Sequence, residues 1–249
     1  AVAVRAMKSE IISTVYPQNV AKRRLPVNFN QEHLGLFEGE LERVIPATQL
    51  LRFRDVLASP EGLLFKGTKI LRESFAFPYH LDDWPSRSVL KFLATNYVRR
   101  RRRIEGEVLW VTDYWSTRHF HWLADALTRL FVVRDQLTDL LLLLPGSYKT
   151  REVVESSLKA FGVRNTDFIG RNEVVECRNL LMPSHTAPSG HYNDEAIRGV
   201  RSVLLSAYGS REHGEDRLYI TRSKAAKRRI VNENEIAPIL ADFGFQTVF

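Results

Sequence analysis

Between residues 107 and 208 the spacing of apolar positions switches repeatedly between strand-like and helix-like periods. Val108–Val111 is a short apolar run of strand type, followed by Asp113, Tyr114 and Trp115. Phe120, Leu123, Leu127 and Leu130 then recur at three- and four-residue steps, with Ala124 and Phe131 beside them, which predicts one face of an amphipathic helix. Asp139–Leu144, with its unbroken leucines ended by Pro145 and Gly146, reads as a central strand covered on both faces. Lys149–Phe161 reads as a helix closed by Gly162, and Phe168–Ile169 and Val174–Met182 as further strands. Pro183–His191 is a loop, expected at the sheet edge, and Asn193 or Asp194 can cap a helix running to about Tyr208. Strand and helix in alternation give βαβα units and a parallel sheet with right-handed crossovers, so the expected class is α/β.

Outside this stretch the pattern is less regular. Residues 1–31 show no sustained period and read as an arm or irregular entry. Glu40–Ile45, Leu50–Val56, Leu63–Lys66 and Lys69–Phe75 are short strand-like pieces, punctuated by Pro46, Pro60 and Gly62, which suits a small meander. Pro78–Ser88 is a loop in which Asp82 and Asp83 are solvated, and Val89–Tyr97 is a short helical piece. After the polar, turn-rich Gly209–Asp216 come a strand at Arg217–Thr221, a basic segment, a helix over about Glu233–Phe243 and a strand at Gln246–Phe249. The expected organisation is an arm and β-rich region over 1–106, a main α/β domain over 107–210, and the beginning of another domain over 211–249.

Composition narrows the classes. The 249 residues are 44% apolar and 26% charged, enough for a sizeable core. A net charge of +7 and an isoelectric point near 9.6 point to an anionic partner. One cysteine, Cys177, excludes an intrachain disulfide framework and a cysteine-built metal site. The run Leu140–Leu144 is far too short to span a membrane, and the N-terminus lacks a basic–apolar–small leader pattern. With no Asn-x-Ser/Thr acceptor site, the expected location is cytoplasmic, peripheral at an inner membrane surface. Five consecutive arginines, Arg99–Arg103, invite a nucleic-acid reading; a solvated connection before a buried strand fits them as well, and no specific nucleic-acid recognition is expected.

Two segments carry chemistry. His121 and Asp125 are four apart and stack on one side of the predicted helix, at the end of a strand, where α/β proteins build sites. Asp125 is a candidate site carboxylate by this placement, and pairing with Arg129 on the helix surface is the alternative. His121 suits orienting Asp125 or touching a ligand, and packing alone is the alternative; Trp122 reads as core, with stacking on a ligand as the other possibility. His119 and His121, two apart on a helix, point in different directions and make a poor metal pair. The second segment, Arg217–Phe249, places Arg222, Arg228 and Arg229 between a strand and a helix start, a planar-donor cluster suited to a diphosphate or to a charged, solvated turn. Asn232 reads as the helix cap.

These two segments resemble glycosyltransferase family 61. The resemblance rests on Phe120-His121-Trp122-Leu123-Ala124-Asp125-Ala126-Leu127-Thr128-Arg129-Leu130, where the family has Phe-His-Trp-Leu-x-Asp-x-Leu-Pro-Arg-Leu. It rests equally on Leu218-Tyr219-Ile220-Thr221-Arg222, the Arg228-Arg229 pair, Asn232-Glu233 and a helix closing on Gly244-Phe245, with Phe161-Gly162-Val163 and Leu180–His185 in order between. Thr128 stands where the family usually has proline. The family's pattern continues with a His-Gly-Ala-Gly segment that helps bind the nucleotide sugar; no such motif occurs here, and the sequence ends before its expected place.

The resemblance implies a GT-B-like, Rossmann-type first domain followed by the start of a second. It implies an inverting hexosyl- or pentosyltransferase of the kind used in polysaccharide biosynthesis. The nucleotide sugar, expected to be UDP-linked, is a co-substrate, and the acceptor is a glycan, polysaccharide or protein hydroxyl. Under it Asp125 is the base and His121 its companion, while Arg222, Arg228 and Arg229 hold the donor diphosphate with no metal or cofactor. A basic, non-catalytic module for nucleic acid or anionic surfaces is the alternative function.

Overall fold

The computed structural model describes residues 9–209 and 217–248. They fall into two compact units, Ala1–Tyr208 and Gly209–Phe249.

The first unit is built on one mixed sheet. Strands β7 (Arg100–Leu109), β8 (Leu141–Pro145), β9 (Thr166–Ile169) and β10 (Glu173–Pro183) run parallel, in the order β10-β7-β8-β9. The chain steps outward from β7 to β8 to β9, then returns to lay β10 on the other side of β7. That reversal makes the β7/β10 boundary a topological switch point, and ligands of open α/β sheets bind outside the carboxyl ends of strands at such points. The apolar run of β8 is buried on both faces, as its unbroken leucines predict.

On the far side of β10 the sheet turns antiparallel, through β4 (Thr48–Ala58), β5 (Leu64–Lys66) and β6 (Lys69–Ile70), with β1 (Glu10–Tyr16) also paired to β4. Two expectations change here. Part of the stretch read as an irregular entry is strand: β1 joins the main sheet, and β2 (Asn19–Lys22) pairs with β3 (Glu42–Ile45). The pattern hid β1 because register shifts break its alternation and, of its seven residues, only Tyr16 is buried. The Pro183–His191 loop also leaves the centre of the sheet rather than its edge, because β10 lies between β4 and β7.

Helices cover the sheet. Besides α1 (Leu34–Leu41) and α2 (Ser86–Tyr97), a composite helix follows β7: α3 (His119–His121), a π turn (Trp122–Ala126) and α4 (Leu127–Val132). Then come α5 (Glu152–Ala160), ended by Gly162 at φ +69°, and α6 (Asp194–Tyr208), capped by Asn193, whose Oδ1 accepts from the Ala196 amide at 3.0 Å. α6 lies close against α4 because Gly199 carries no side chain: a Cβ there would meet the Phe131 ring at 2.1 Å. Trp122, Leu127, Leu130, Leu142, Leu144 and Val154 form the core beneath these helices.

The arginine run opens a strand rather than forming a connection, although Arg100, Arg101 and Arg103 stay exposed. Arg100–Arg103 form the first residues of β7 and mostly have carboxylate partners. Arg100 and Arg102 reach the buried Glu173 at 2.8 and 3.3 Å, and Arg102 also reaches Asp167 at 2.6 Å. Arg99 pairs with Glu61 at 2.6 Å and Arg103 with Glu105 at 2.6 Å. Glu173 opens β10, Asp167 lies in β9, and Glu61 lies in the β4–β5 turn, so the ion pairs tie the start of β7 to the elements around it rather than leaving a bare cationic stripe.

The second unit is one βαβ element, with β11 (Leu218–Ile220) and β12 (Gln246–Val248) parallel and α7 (Glu233–Asp242) between them. Asn232 stands at the N-cap, but its side chain reaches Glu235 at 3.5 Å and caps no backbone amide. The turn-rich stretch expected to end the main domain lies, past Gly209, outside the described residues, as does Phe249.

Glu173 also accepts from the Gly170 amide at 3.2 Å, so its carboxylate serves three donors from inside the sheet end. Glu173→Ala is expected to lower the unfolding free energy by about 1–3 kcal/mol in urea titration, while Arg101→Ala, at an exposed arginine resting on the Tyr97 ring, changes it by less than about 0.5 kcal/mol.

Candidate active site

Past the carboxyl end of β7 the chain continues buried as Trp110, Val111, Thr112 and Asp113. Asp113 turns it: Oδ1 accepts from the amides of Trp115 and Ser116 at 2.7 and 2.9 Å, and Ser116 Oγ accepts from the Asp113 amide at 3.0 Å. The remaining oxygen, Oδ2, meets His185 Nε2 at 2.9 Å. His185 sits just past the end of β10, so this pair joins the two strands that flank the switch point.

A second pair stands on the composite helix. His121 Nδ1 lies 2.7 Å from Asp125 Oδ2, and the Ser189 hydroxyl donates to the same oxygen at 3.1 Å. The two side chains, 12% and 4% exposed, differ in reach: Asp125 is enclosed and His121 holds the outer position. A carboxylate only accepts, so His121 Nδ1 and His185 Nε2 carry the protons in these pairs.

The π turn places Asp125. Leu127 donates to the Trp122 carbonyl across five residues, widening the helix, a distortion that recurs at functional sites. Thr128 Oγ1 donates to the carbonyls of Ala124 and Asp125, both at 2.9 Å, and accepts from Thr186 at 3.0 Å. The threonine that stands where the family has proline therefore joins the helix to the 183–191 loop. Trp122 is core: its indole donates to Ser157 at 2.9 Å and its ring packs on Tyr148.

Below both pairs lies Arg129, fully buried. Its Nε donates to the Pro183 carbonyl at 2.8 Å and its NH1 group to the Thr112 carbonyl at 3.2 Å, so one guanidinium binds the chain ends that leave β10 and β7. The alternative of a surface Asp125–Arg129 pair is thereby excluded, since both residues are buried and Asp125 bonds His121 instead.

Burial and charge set the carboxylates apart. Burial alone would raise the Asp113 pKa, but the His185 hydrogen bond and the charges of His185 and Arg129 more than offset it and hold it at about 2. For Asp125 burial prevails, aided by the Asp113 charge, and its pKa is raised despite the His121 hydrogen bond. Burial also depresses Arg129, to about 10, against the pull of Asp113 and Asp125, and the guanidinium stays charged at neutral pH.

The family described as Glycosyltransferase 61 matches residues 119–249, just over half of the chain. The chain belongs to that family. No curated protein and no solved structure matches it. Membership carries glycosyltransferase chemistry, the movement of a sugar from a nucleotide-sugar donor to an acceptor. The match takes in α3, the π turn and the 183–191 loop, while Asp113 precedes it. Among the described residues no helix is long and apolar enough to cross a membrane.

Of the residues singled out from sequence, His121 and Asp125 are brought together. Arg222, Arg228 and Arg229 lie in the second unit, all exposed, in the loop between β11 and α7. Arg222 folds back on that loop, donating to the carbonyls of Arg228 and Lys227 at 3.1 and 3.2 Å, and Arg228 adopts a left-handed φ of +58°. Asp113, His185, Ser189 and Arg129 were not singled out as site residues. A polar residue closing an apolar strand pattern is a signal for Asp113; nothing local announces that His185, 72 residues on, meets it.

Because the folded pKa of Asp113 lies below its ordinary value of 3.8, its ionised form stabilises the fold by on the order of 2 kcal/mol, present above pH ~4 and lost as pH falls through about 2. Acid unfolding followed by circular dichroism should show this dependence between pH 4 and 2, and Asp113→Asn should be less stable at neutral pH and flatter across that window.

Proposed function

We propose that this protein is an inverting glycosyltransferase in which the His121–Asp125 pair removes the proton of the acceptor hydroxyl. The observation that carries the reading is the short His121–Asp125 contact on a widened helix at the switch point, fixed further by Ser189. The acceptor oxygen attacks the anomeric carbon, its proton passes to His121 Nε2, and the bond from that carbon to the donor's diphosphate breaks with the electron pair leaving on the nucleoside diphosphate. Asp125 holds the imidazole through Nδ1 and stabilises the imidazolium that forms. This exchanges the roles expected from sequence, base on Asp125 and support from His121, because His121 has the accessible ring and Asp125 the enclosed carboxylate.

Arg222, Arg228 and Arg229 supply the positive charge for the leaving diphosphate in this reading, with no metal required. Arg228 and Arg229 are the better placed to reach a ligand, since Arg222 closes its own loop. The donor is a UDP sugar and the acceptor a hydroxyl of a glycan, polysaccharide or protein. The first unit is the Rossmann-type half of a GT-B arrangement, supported by the β9-β8-β7-β10 order, and the second unit begins the other half. A location at the cytoplasmic face of a membrane, in polysaccharide synthesis, suits a basic chain of this kind. The carboxylate partners of Arg99, Arg100, Arg102 and Arg103 speak against the nucleic-acid alternative.

Removing the charge behind the base is expected to cost about 10²–10⁴ in turnover. Asp125→Asn should therefore lose at least about a hundredfold in kcat for sugar transfer, without losing thermal stability at pH 7, since burial makes the Asp125 charge unfavourable to the fold. Turnover equal to the parent enzyme's would remove the pair from the mechanism.

A further inference from the structure

The first unit contains a cavity of about 560 Å³ to which no role has yet been given. β1, the β3–β4 turn, the segment 73–79 and the loop after β10 enclose it. One wall is aromatic: Phe77 and Tyr79 stack with centroids 5.4 Å apart at 30°, and Tyr79 is 57% exposed. Arg43, Gln49, Glu73 and His185 contribute polar groups to the same space. With His185 Nε2 engaged by Asp113, Nδ1 is the nitrogen left for a ligand.

The aromatic wall leads to the base. The Phe77 ring lies 5.7 Å from Trp115, which lies 5.2 Å from the His121 ring, with His80 packed on Trp115 at 4.7 Å. Pro188, in the cavity wall, is followed by Ser189, which bonds Asp125. A ligand seated here thus has a continuous ring surface towards the position where a hydroxyl would lose its proton.

We infer that this cavity is the subsite for a neutral carbohydrate chain, the acceptor of the transfer proposed above, on which reading the acceptor role rests. A sugar ring has an apolar C–H face that packs on an aromatic ring and an equatorial belt of hydroxyls that both donate and accept. Phe77 and Tyr79 offer the first partner, and Glu73, Gln49, Arg43 and His185 the second. The volume falls within the ~300–1,000 Å³ of small-molecule sites, room for a short oligosaccharide. A phosphorylated ligand fits less well, since among the described residues Arg43 is the one Lys or Arg in the lining and Glu73 opposes an anion. Apart from the loop after β10, the walls come from residues before the family match, so this chain's acceptor preference is written in its own N-terminal part.

The test is direct binding, without donor, of end-labelled neutral oligosaccharides built from hexoses, pentoses or N-acetylhexosamines. The expected result is binding of at least one class, weakened about tenfold or more by Tyr79→Ala, changed less than about twofold by Tyr79→Phe, and retained in Asp125→Asn. Tyr79 is exposed, so its substitution leaves the core intact. Failure of every class to bind, undiminished binding in Tyr79→Ala, or displacement of the sugar by UDP would overturn the inference. Oligosaccharide binding that needs Tyr79, in a protein whose turnover ignores Asp125→Asn, would support the subsite and reject the base assignment alone.

Discussion

A single buried cation holds the site together. The Arg129 guanidinium bonds the Thr112 and Pro183 carbonyls, the backbone just beyond β7 and the last residue of β10. The chain leaves the sheet at these two points to carry Asp113 on one side and His185 on the other. An isolated charge in such a place costs several kcal/mol unless compensated, and here the carbonyl bonds and the nearby charges of Asp113 and Asp125 provide the compensation. The helix that carries Arg129 also carries Asp125 one turn and His121 two turns earlier, so fixing the cation fixes the pair's position over the strand ends. Packing of Gly199 against Phe131 holds that helix from behind.

The cation also sorts the carboxylates. Asp113, with His185 and two backbone amides in addition to the charge of Arg129, stays ionised and orders its turn. Asp125 is buried with fewer compensating partners and also bears the charge of Asp113, so its ionised form is raised in energy. A carboxylate in that condition gains when a proton arrives on the histidine bonded to it, because an imidazolium beside it relieves the cost of its charge. The same desolvation that weakens the fold at Asp125 strengthens the pair as a proton acceptor.

Much of this was readable from the residues. The leucine run of β8, the 3–4 period of α4, Gly162 at the end of α5 and Asn193 at the start of α6 each followed from local chemistry. The i,i+4 placement of His121 and Asp125 followed from helix geometry, and the π turn between them did not disturb it. What escaped depended on distance in sequence. β1 is exposed and irregular, and its strand character comes from pairing with β4. The arginines of β7 resemble a solvated run until Glu173 and Asp167, some seventy residues later, are folded beside them. Arg129 reads as a helix-surface charge because nothing in its neighbourhood shows that two strand ends converge on it. The cavity, drawn from four separated segments, has no sequence signature at all.

Two histidines at the switch point are held by carboxylates through opposite ring nitrogens. Nitrogen-15 correlation spectra of the imidazole rings test it directly, with His121→Gln and His185→Gln used for assignment. At a pH where both rings are neutral, His121 is expected as the Nδ1–H tautomer and His185 as the Nε2–H tautomer, each in fixed form. A His121 ring in the Nε2–H form, or averaging between the two, would contradict it, because Asp125 would then not be holding the base.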